Sequence, residues 1–307
     1  MRIVFFGTPE FAVPSLEALL RERQVVAGVV TQPDKPQGRS RSTLIAPPIK
    51  RLAEREGIPV LQPARPMGDL FLASLRHLEP ELGVVVAYGH VLRRELLTLP
   101  THGMINVHAS LLPRWRGAAP VQHAILAGDR ETGVSIMRLE EGLDTGPVFH
   151  RVATPIGPEE TAGALAGRLA VLGAAALTTV LALPSSGSMH AEPQDSTTVT
   201  YAPKVERETA HLDWSRDAES LVRQVRAFDP NPGAWTTHAG APLKLFRATA
   251  SNEAGTPGTV LGAGERLLVA CGRGAVALRE VQPAGKSRLP VGAWVRGRGV
   301  SAGAQFA

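Results

Sequence analysis

The spacing of hydrophobic and polar positions changes twice along this chain. In the first half, short β-branched and apolar runs at residues 3–6, 25–31, 84–87, 104–108 and 134–138 read as strands. Between them, residues 11–22, 49–56 and 120–127 carry apolar positions at helical spacing. Pro9 and Pro120 fall where a first helical turn tolerates proline. This alternation predicts an α/β fold, a Rossmann-like parallel sheet with helices on both faces. Such sheets take ligands beyond the carboxyl ends of their strands. A helical stretch over 161–183 then gives way to polar, glycine-containing residues 184–200, which read as a linker. Further on, short runs at 242–246, 258–261, 266–270, 275–281 and 292–295, separated by glycines, predict a small β-barrel. One helix, at 218–227, precedes it. The expected boundaries are a first domain at 1–183, a linker at 184–203 and a second domain at 204–307, with no internal repeat.

Length and charge refine this picture. A chain of 307 residues with 44% hydrophobic content suits two packed domains better than one core. The uncharged apolar run 169–183 is short for a membrane crossing and reads as a packed helix. The first seven residues read as a strand entering a turn, not as a signal peptide. A single cysteine, Cys271, excludes an intrachain disulfide, fits a reducing, cytoplasmic setting and reads as buried filler. Residues 1–203 carry 19 basic and 19 acidic side chains, whereas residues 204–307 carry 14 and 9. The net charge of +5 therefore lies in the last third, which points to a polyanionic partner; solubility alone explains a surface of this modest charge equally well.

Three residues concentrate candidate chemistry. Asn106 and His108 are two apart, so on an extended segment their side chains leave the same face. Asp144, on a loop with glycines nearby, is placed to orient the imidazole and stabilise its charged form. An amide for an oxyanion, an imidazole for a proton and a carboxylate behind it suit acyl transfer to an amine. A purely structural reading also fits the spacing: a strand cap, a core histidine and a turn aspartate. The turn Gly7-Thr-Pro-Glu10 lacks the Gly-x-Gly-x-x-Gly fingerprint, which disfavours a nicotinamide dehydrogenase, and no phosphate loop is present. No His, Cys or Asp cluster has metal-ligand spacing, so no metal is expected. Residues 32–51 form a proline- and glycine-rich insertion with Lys35, Arg39, Arg41, Lys50 and Arg51 against Asp34. Insertions of this length are usually functional or disordered.

The run Asn106 to Pro113, then Arg114-Trp-Arg-Gly-Ala-Ala-Pro120, Thr132-Gly-Val-Ser-Ile-Met137 and Leu143-Asp-Thr-Gly146, resembles the folate-dependent formyltransferases. Arg2-Ile-Val-Phe-Phe-Gly-Thr-Pro9, Val84-Val-Val-Ala-Tyr-Gly89, Tyr201-Ala-Pro-Lys204 and Ala284-Gly-Lys286 extend the resemblance over nearly the whole chain. They narrow it to the branch that acts on methionyl-tRNA. The resemblance implies a formyltransferase domain followed by an oligonucleotide-binding-like (OB-like) barrel. It implies 10-formyltetrahydrofolate as formyl donor and initiator methionyl-tRNA as acceptor in translation initiation. Asn106, His108 and Asp144 become the catalytic residues, with the choice between His108 and Asp144 as proton carrier left open. Ser110, Leu111, Leu112 and Pro113 match the folate-contacting segment, with Val86, Tyr88, Gly89 and Leu139 framing the pterin. Phe11 becomes either a wall for the methionyl side chain or a packing residue. Lys35, Arg39 and Arg41 fall on a basic loop that approaches the tRNA acceptor end; a solvated loop with incidental charge is the alternative. Arg223, Arg226, Lys244, Arg247, Lys286, Arg288, Arg296 and Arg298 are further candidates for phosphate contact.

Two departures stand out. Asn231 replaces a frequent aromatic, and Arg39-Ser40-Arg41 replaces Arg-Gly followed by a basic residue. The rival readings are a formyltransferase acting on a sugar-nucleotide amine or on glycinamide ribotide, and a noncatalytic RNA- or folate-binding protein. Glycinamide ribotide enzymes usually stop near 200 residues, so the length counts against them. A cytoplasmic monomer is expected.

Overall fold

Runs of Val, Ile and Phe, buried on both faces, build a mixed seven-stranded sheet. The structure is a computed structural model in which residues 1–37, 43–182 and 191–307 are described. They form two compact units, one of residues 1–120, 131–155 and 166–202, the other of residues 121–130, 156–165 and 203–307.

In chain order come β1 (Arg2–Gly7), α1 (Val13–Arg21), β2 (Val25–Val30), the hairpin β3 (Lys35–Gln37) and β4 (Thr43–Ile45), and α2 (Pro48–Arg55). Then follow β5 (Val60–Leu61), α3 (Asp69–His77), β6 (Leu82–Val86), α4 (Arg94–Leu97), β7 (Met104–His108), β8 (Arg116–Gly117) and α5 (Pro120–Ala127). Next are β9 (Glu131–Arg138), β10 (Val148–Pro155), α6 (Ala162–Ala182) and β11 (Tyr201–Ala202). The sheet order is β10-β9-β7-β6-β1-β2-β5. The five strands from β7 to β5 are parallel. β9, however, runs antiparallel to both β7 and β10, so the expected Rossmann-like parallel sheet carries two antiparallel pairings at one edge. The chain enters β9 at the end where β7 finishes, so no crossover carries it back. Chain order reverses at β1, which puts the carboxyl ends of β1 and β6 at a topological switch point.

One helix differs from expectation for a local reason. The stretch 11–22 splits into a 3-10 turn, Glu10–Ala12, and then α1, because Pro14 lies in the first turn of the α-helix. Proline has no N–H, and its ring clashes with the carbonyl four residues back, so regular helix begins only beside it. α6 runs 21 residues, in agreement with the expected helical stretch 161–183. Arg168, just ahead of the uncharged run 169–183, is held by the Thr154 hydroxyl and, at 2.7 Å, by the Pro155 carbonyl. Alone among the described residues, α6 is long and apolar enough to cross a membrane by length and composition. Here Leu169, Leu177 and Val180 are buried. A Cβ on Gly173 would stand 2.7 Å from Val107 Cγ1, so α6 lies close against β7.

The second unit contains α7 (Ala218–Ala227), β12 (Trp235–His238), β13 (Ala241–Ser251), β14 (Val260–Ala263), β15 (Leu267–Ala270), β16 (Ala275–Pro283), β17 (Leu289–Pro290) and α8 (Val291–Arg296). α7 has its expected bounds because Asp217 caps it, Oδ1 accepting the Ser220 N–H at 2.9 Å. The antiparallel order is β12-β13-β16-β15-β14, with β17 on β16. The C-terminal residues join the two edges of this curled sheet. Ala304 and Phe306 bond Val260 and Gly258 beside β14, and Ala307 exchanges bonds of 2.7 and 3.1 Å with Thr237 of β12. The OB-like curl is thus completed by a segment that carries no strand pattern. The expected strand 292–295 is instead the helix α8. Four residues are too few to separate the two periods, and Pro290 in extended conformation starts a helical turn. Cys271 is buried, which pushes its thiol up to about 11.

Candidate functional site

Alternation along β7 decides which side chains meet the crevice. Val107 faces α6, so Asn106 and His108 leave the opposite face of the sheet. Asn106 lies beside Val85 and Met137, and His108 beside Ser135. Asn106 is 9% exposed, and its amide makes no hydrogen bond among the described residues. His108 is 6% exposed, with Nε2 2.9 Å from the Trp115 carbonyl. A carbonyl only accepts, so Nε2 carries the hydrogen and the neutral ring presents the lone pair of Nδ1. That atom faces Asp144 Oδ2 at 3.7 Å, beyond hydrogen-bond range.

Asp144 and Trp115 both adopt left-handed backbone, with φ of 50° and 62°. Such conformations cost about 1–3 kcal/mol in non-glycine residues and persist where the surroundings over-determine them. The constraints are explicit. Asp144 Oδ2 accepts the Gly117 N–H at 2.8 Å, and Thr200 Oγ1 accepts the Trp115 N–H at 2.8 Å. The Arg114 guanidinium lies 4.3 Å over the Trp115 ring. Gln194 donates to the carbonyls of Asp144 and Gly146 at 2.8 and 2.7 Å, while its Oε1 accepts from Arg116 Nε and Nη2 at 3.0 and 2.8 Å. Trp115, Arg116, Gln194 and Thr200 were not singled out from sequence. Trp115 acts through its backbone, Arg116 through its guanidinium, and Gln194 and Thr200 from the stretch 184–200, read as a linker, of which residues 191–200 pack within the first unit.

The residues expected at the folate divide by burial. Ser110, Leu112, Val86 and Tyr88 point their side chains into the interior. Ser110 donates its hydroxyl to the Arg114 carbonyl, and Ser135 ties the segment down by accepting the Leu112 N–H and donating to the Ser110 carbonyl. Leu112 packs with Met137, Val148 and Leu139. The Tyr88 ring meets Phe6 edge-on, its hydroxyl has no partner, and burial pushes its pKa up to about 12. These four residues present backbone, not side-chain walls. Leu111 and Pro113 are half-buried, and Gly89 is exposed at φ 85°. Leu139 lines a groove of about 1030 Å³ with Leu97, Met104, Arg138, Glu140 and Glu141. None of Asn106, His108 and Asp144 lines that groove, but residues 139–142 lead from it to Asp144. Phe11 is half-buried behind the first turn.

The candidate RNA contacts also sort by what already holds them. Lys35 is exposed on β3; Arg39 and Arg41 lie outside the described residues. Lys50 pairs with Asp34 at 2.7 Å, and Arg51 with Glu10 at 3.1 Å. A hydrogen bond from Gln62, and then Lys50, holds the Asp34 carboxyl below its usual range. In the second unit, Arg223 and Arg226 donate to backbone carbonyls. Arg247, Arg288 and Arg296 pair with Glu280, Asp229 and Glu265. Lys244, Lys286 and Arg298 have no such ion pair among the described residues, and Lys286 and Arg298 are exposed.

Comparison with known proteins adds the family. The formyl transferase family profile matches residues 1–181, and the formyl transferase C-terminal domain profile matches residues 204–299. A methionyl-tRNA formyltransferase of Geotalea daltonii is 46% identical over 100% of this chain and 98% of its own. That of Methylococcus capsulatus is 51% identical over 94% of each. Among solved structures, HypX from Aquifex aeolicus in complex with tetrahydrofolic acid shares the fold, with a TM-score of 0.69 at 22% identity. It covers 97% of this chain, which spans 47% of HypX. The chain belongs to the formyl transferase family, in the branch of the methionyl-tRNA formyltransferases.

Proposed function

We propose that this protein moves the formyl group of 10-formyltetrahydrofolate to the methionyl amine of initiator methionyl-tRNA, giving the N-formylmethionyl-tRNA that starts translation. The observation that carries this reading is the similarity to methionyl-tRNA formyltransferases at about half identity, which runs through the basic C-terminal unit as well as the first.

The folate supplies an activated formyl carbon. Asn106, whose amide makes no hydrogen bond among the described residues, donates to the oxygen that becomes negative as the amine adds. The amine must then lose a proton. Between His108 Nδ1 and Asp144 Oδ2 lies a seat for one: a proton there turns the facing of two acceptors into a charge-assisted hydrogen bond. The Trp115 carbonyl keeps the ring in the tautomer that presents Nδ1. The same proton is then available to the departing folate nitrogen, so the step balances.

In this reading residues 1–183 form the catalytic domain and residues 184–203 connect it to an OB-like tRNA-binding domain at 204–307. The folate lies against Leu111, Pro113 and Leu139 and the backbone of Val86, Tyr88, Gly89, Ser110 and Leu112. Lys35, Arg39 and Arg41 meet phosphates of the acceptor end. The setting is the cytoplasm and the working unit a monomer.

The test is formyl transfer to charged initiator methionyl-tRNA, beside uncharged tRNA, elongator methionyl-tRNA and an amino sugar nucleotide. Transfer confined to the charged initiator is expected. Transfer to the sugar nucleotide alone overturns the tRNA reading, and transfer to none overturns the enzyme.

A further inference from the structure

We propose that residues 192–202 act as a strap that positions the reacting pair, with Gln194 and Thr200 as its positioning residues. The inference rests on the reading of His108 and Asp144 as the groups that handle the proton.

The strap is anchored at both ends. Glu192 exchanges backbone hydrogen bonds of 2.8 and 2.9 Å with Val148, and its carboxylate pairs with Arg151 at 2.9 Å. Arg151 in turn donates Nε to the Leu112 carbonyl at 2.9 Å. At the other end, β11 runs parallel to β8, placing Tyr201 beside Arg116 and Ala202 beside Gly117. A Cβ on Gly117 would stand 2.6 Å from the Ala202 carbonyl, so the close approach requires glycine there. Between the anchors, Asp195 caps a turn by accepting the Thr197 N–H at 2.9 Å.

What the strap holds are the two partners of His108. Thr200 fixes the Trp115 N–H by its hydroxyl and the Arg116 N–H, at 2.9 Å, by its carbonyl. This sets the Trp115 carbonyl on Nε2 and aims the Gly117 N–H at Asp144 Oδ2. Gln194, itself held by the buried guanidinium of Arg116, fixes the Asp144 backbone from the other side. Trp115 and Asp144 are both left-handed non-glycine residues beside His108, so each bond removed lets strained backbone relax away from it. Misplacement of a reacting group by about 1 Å can cost about 10²-fold in rate.

The experiment uses the full chain and two matched pairs, Thr200→Val with Thr200→Ser and Gln194→Ala with Gln194→Glu. Initial rates of formyl transfer to charged initiator tRNA are measured across pH, with a thermal melt of each variant. Expected are a kcat lower by about 10²-fold in Thr200→Val, with KM for both substrates unchanged, and recovery in Thr200→Ser. Gln194→Glu keeps an acceptor for Arg116 but loses the donor to the Asp144 carbonyl, so it falls with Gln194→Ala. Both should displace the kcat–pH profile, which a merely structural bond would not move. Folded variants with wild-type kcat and profile overturn the strap, as does a loss confined to KM or failure of both pairs to fold. A wild-type protein inactive on every acceptor overturns the functional reading itself.

Discussion

Replacing Asn106 with alanine separates stability from chemistry at a single residue. Asn106 is 9% exposed, its amide makes no hydrogen bond among the described residues, and it is not among the sealed polar atoms left without a partner, so water reaches it. Alanine therefore relieves no desolvation penalty of the kind a sealed polar group pays. What it leaves is a void about the size of one water, ~30 Å³. At about 24 cal/mol per Å³ it costs roughly 0.7 kcal/mol. The melting temperature should therefore hold or fall by only a few degrees. The rate should fall far more, because losing one oxyanion donor typically lowers kcat by about 10²–10³, or about 2.7–4 kcal/mol. Single-turnover formyl transfer at saturating concentrations of both substrates, with a melt on the same preparation, reads the two effects separately. A kcat within about tenfold of wild type would refute the oxyanion role. So would a rate loss that merely tracks a fall in the folded fraction.

Other changes probe neighbouring claims. The Tyr88 phenol, held neutral up to about 12 by burial, contributes stability that is whole below its ordinary 10 and drains away as pH rises toward 12. Melting temperature followed from pH 8 upward should therefore fall more steeply for wild type than for Tyr88→Phe; parallel curves would contradict this. Gly133→Ala puts a Cβ 2.1 Å from the Val152 carbonyl and 2.6 Å from Leu111, so β9 and β10 must part. A loss of about 1–3 kcal/mol in urea melts is expected, and an unchanged midpoint would show the clash relieved elsewhere. Arg288→Met leaves the buried Asp229 carboxylate without its two-pronged partner. Because Arg288 is one-third exposed, the expected cost is about 2 kcal/mol, below the 3–5 of a fully buried pair, and Asp229→Asn on that background should restore part of it.

How far the sequence discloses this structure depends on where the controlling atoms reside. β7 is legible because alternation is a property of side chains, and it correctly puts Asn106 and His108 on one face. α7 is legible because Asp217 supplies a cap and apolar positions follow at helical spacing. The antiparallel setting of β9 is not, since a buried strand reads as the same apolar run in either direction. Least visible is the hold on His108, because a carbonyl at Trp115 and an N–H at Gly117 belong to the backbone that every residue shares. Gln194 and Thr200 sit in a polar segment with no period, and only tertiary hydrogen bonds give them their places.

The stitching of β12 to β14 by residues 303–307 bears on how the protein is made. Those residues follow every strand they join, so during synthesis both edges exist before the segment that covers them. At about 5–20 residues per second, the 64 residues separating β12 from that segment take roughly 3–13 s. Throughout that interval the second unit offers unpaired strand edges to whatever is nearby. A chain released just short of Gly303 would thus be a sticky intermediate rather than a slightly weaker barrel, and crowding on a polysome would be its most hazardous surrounding.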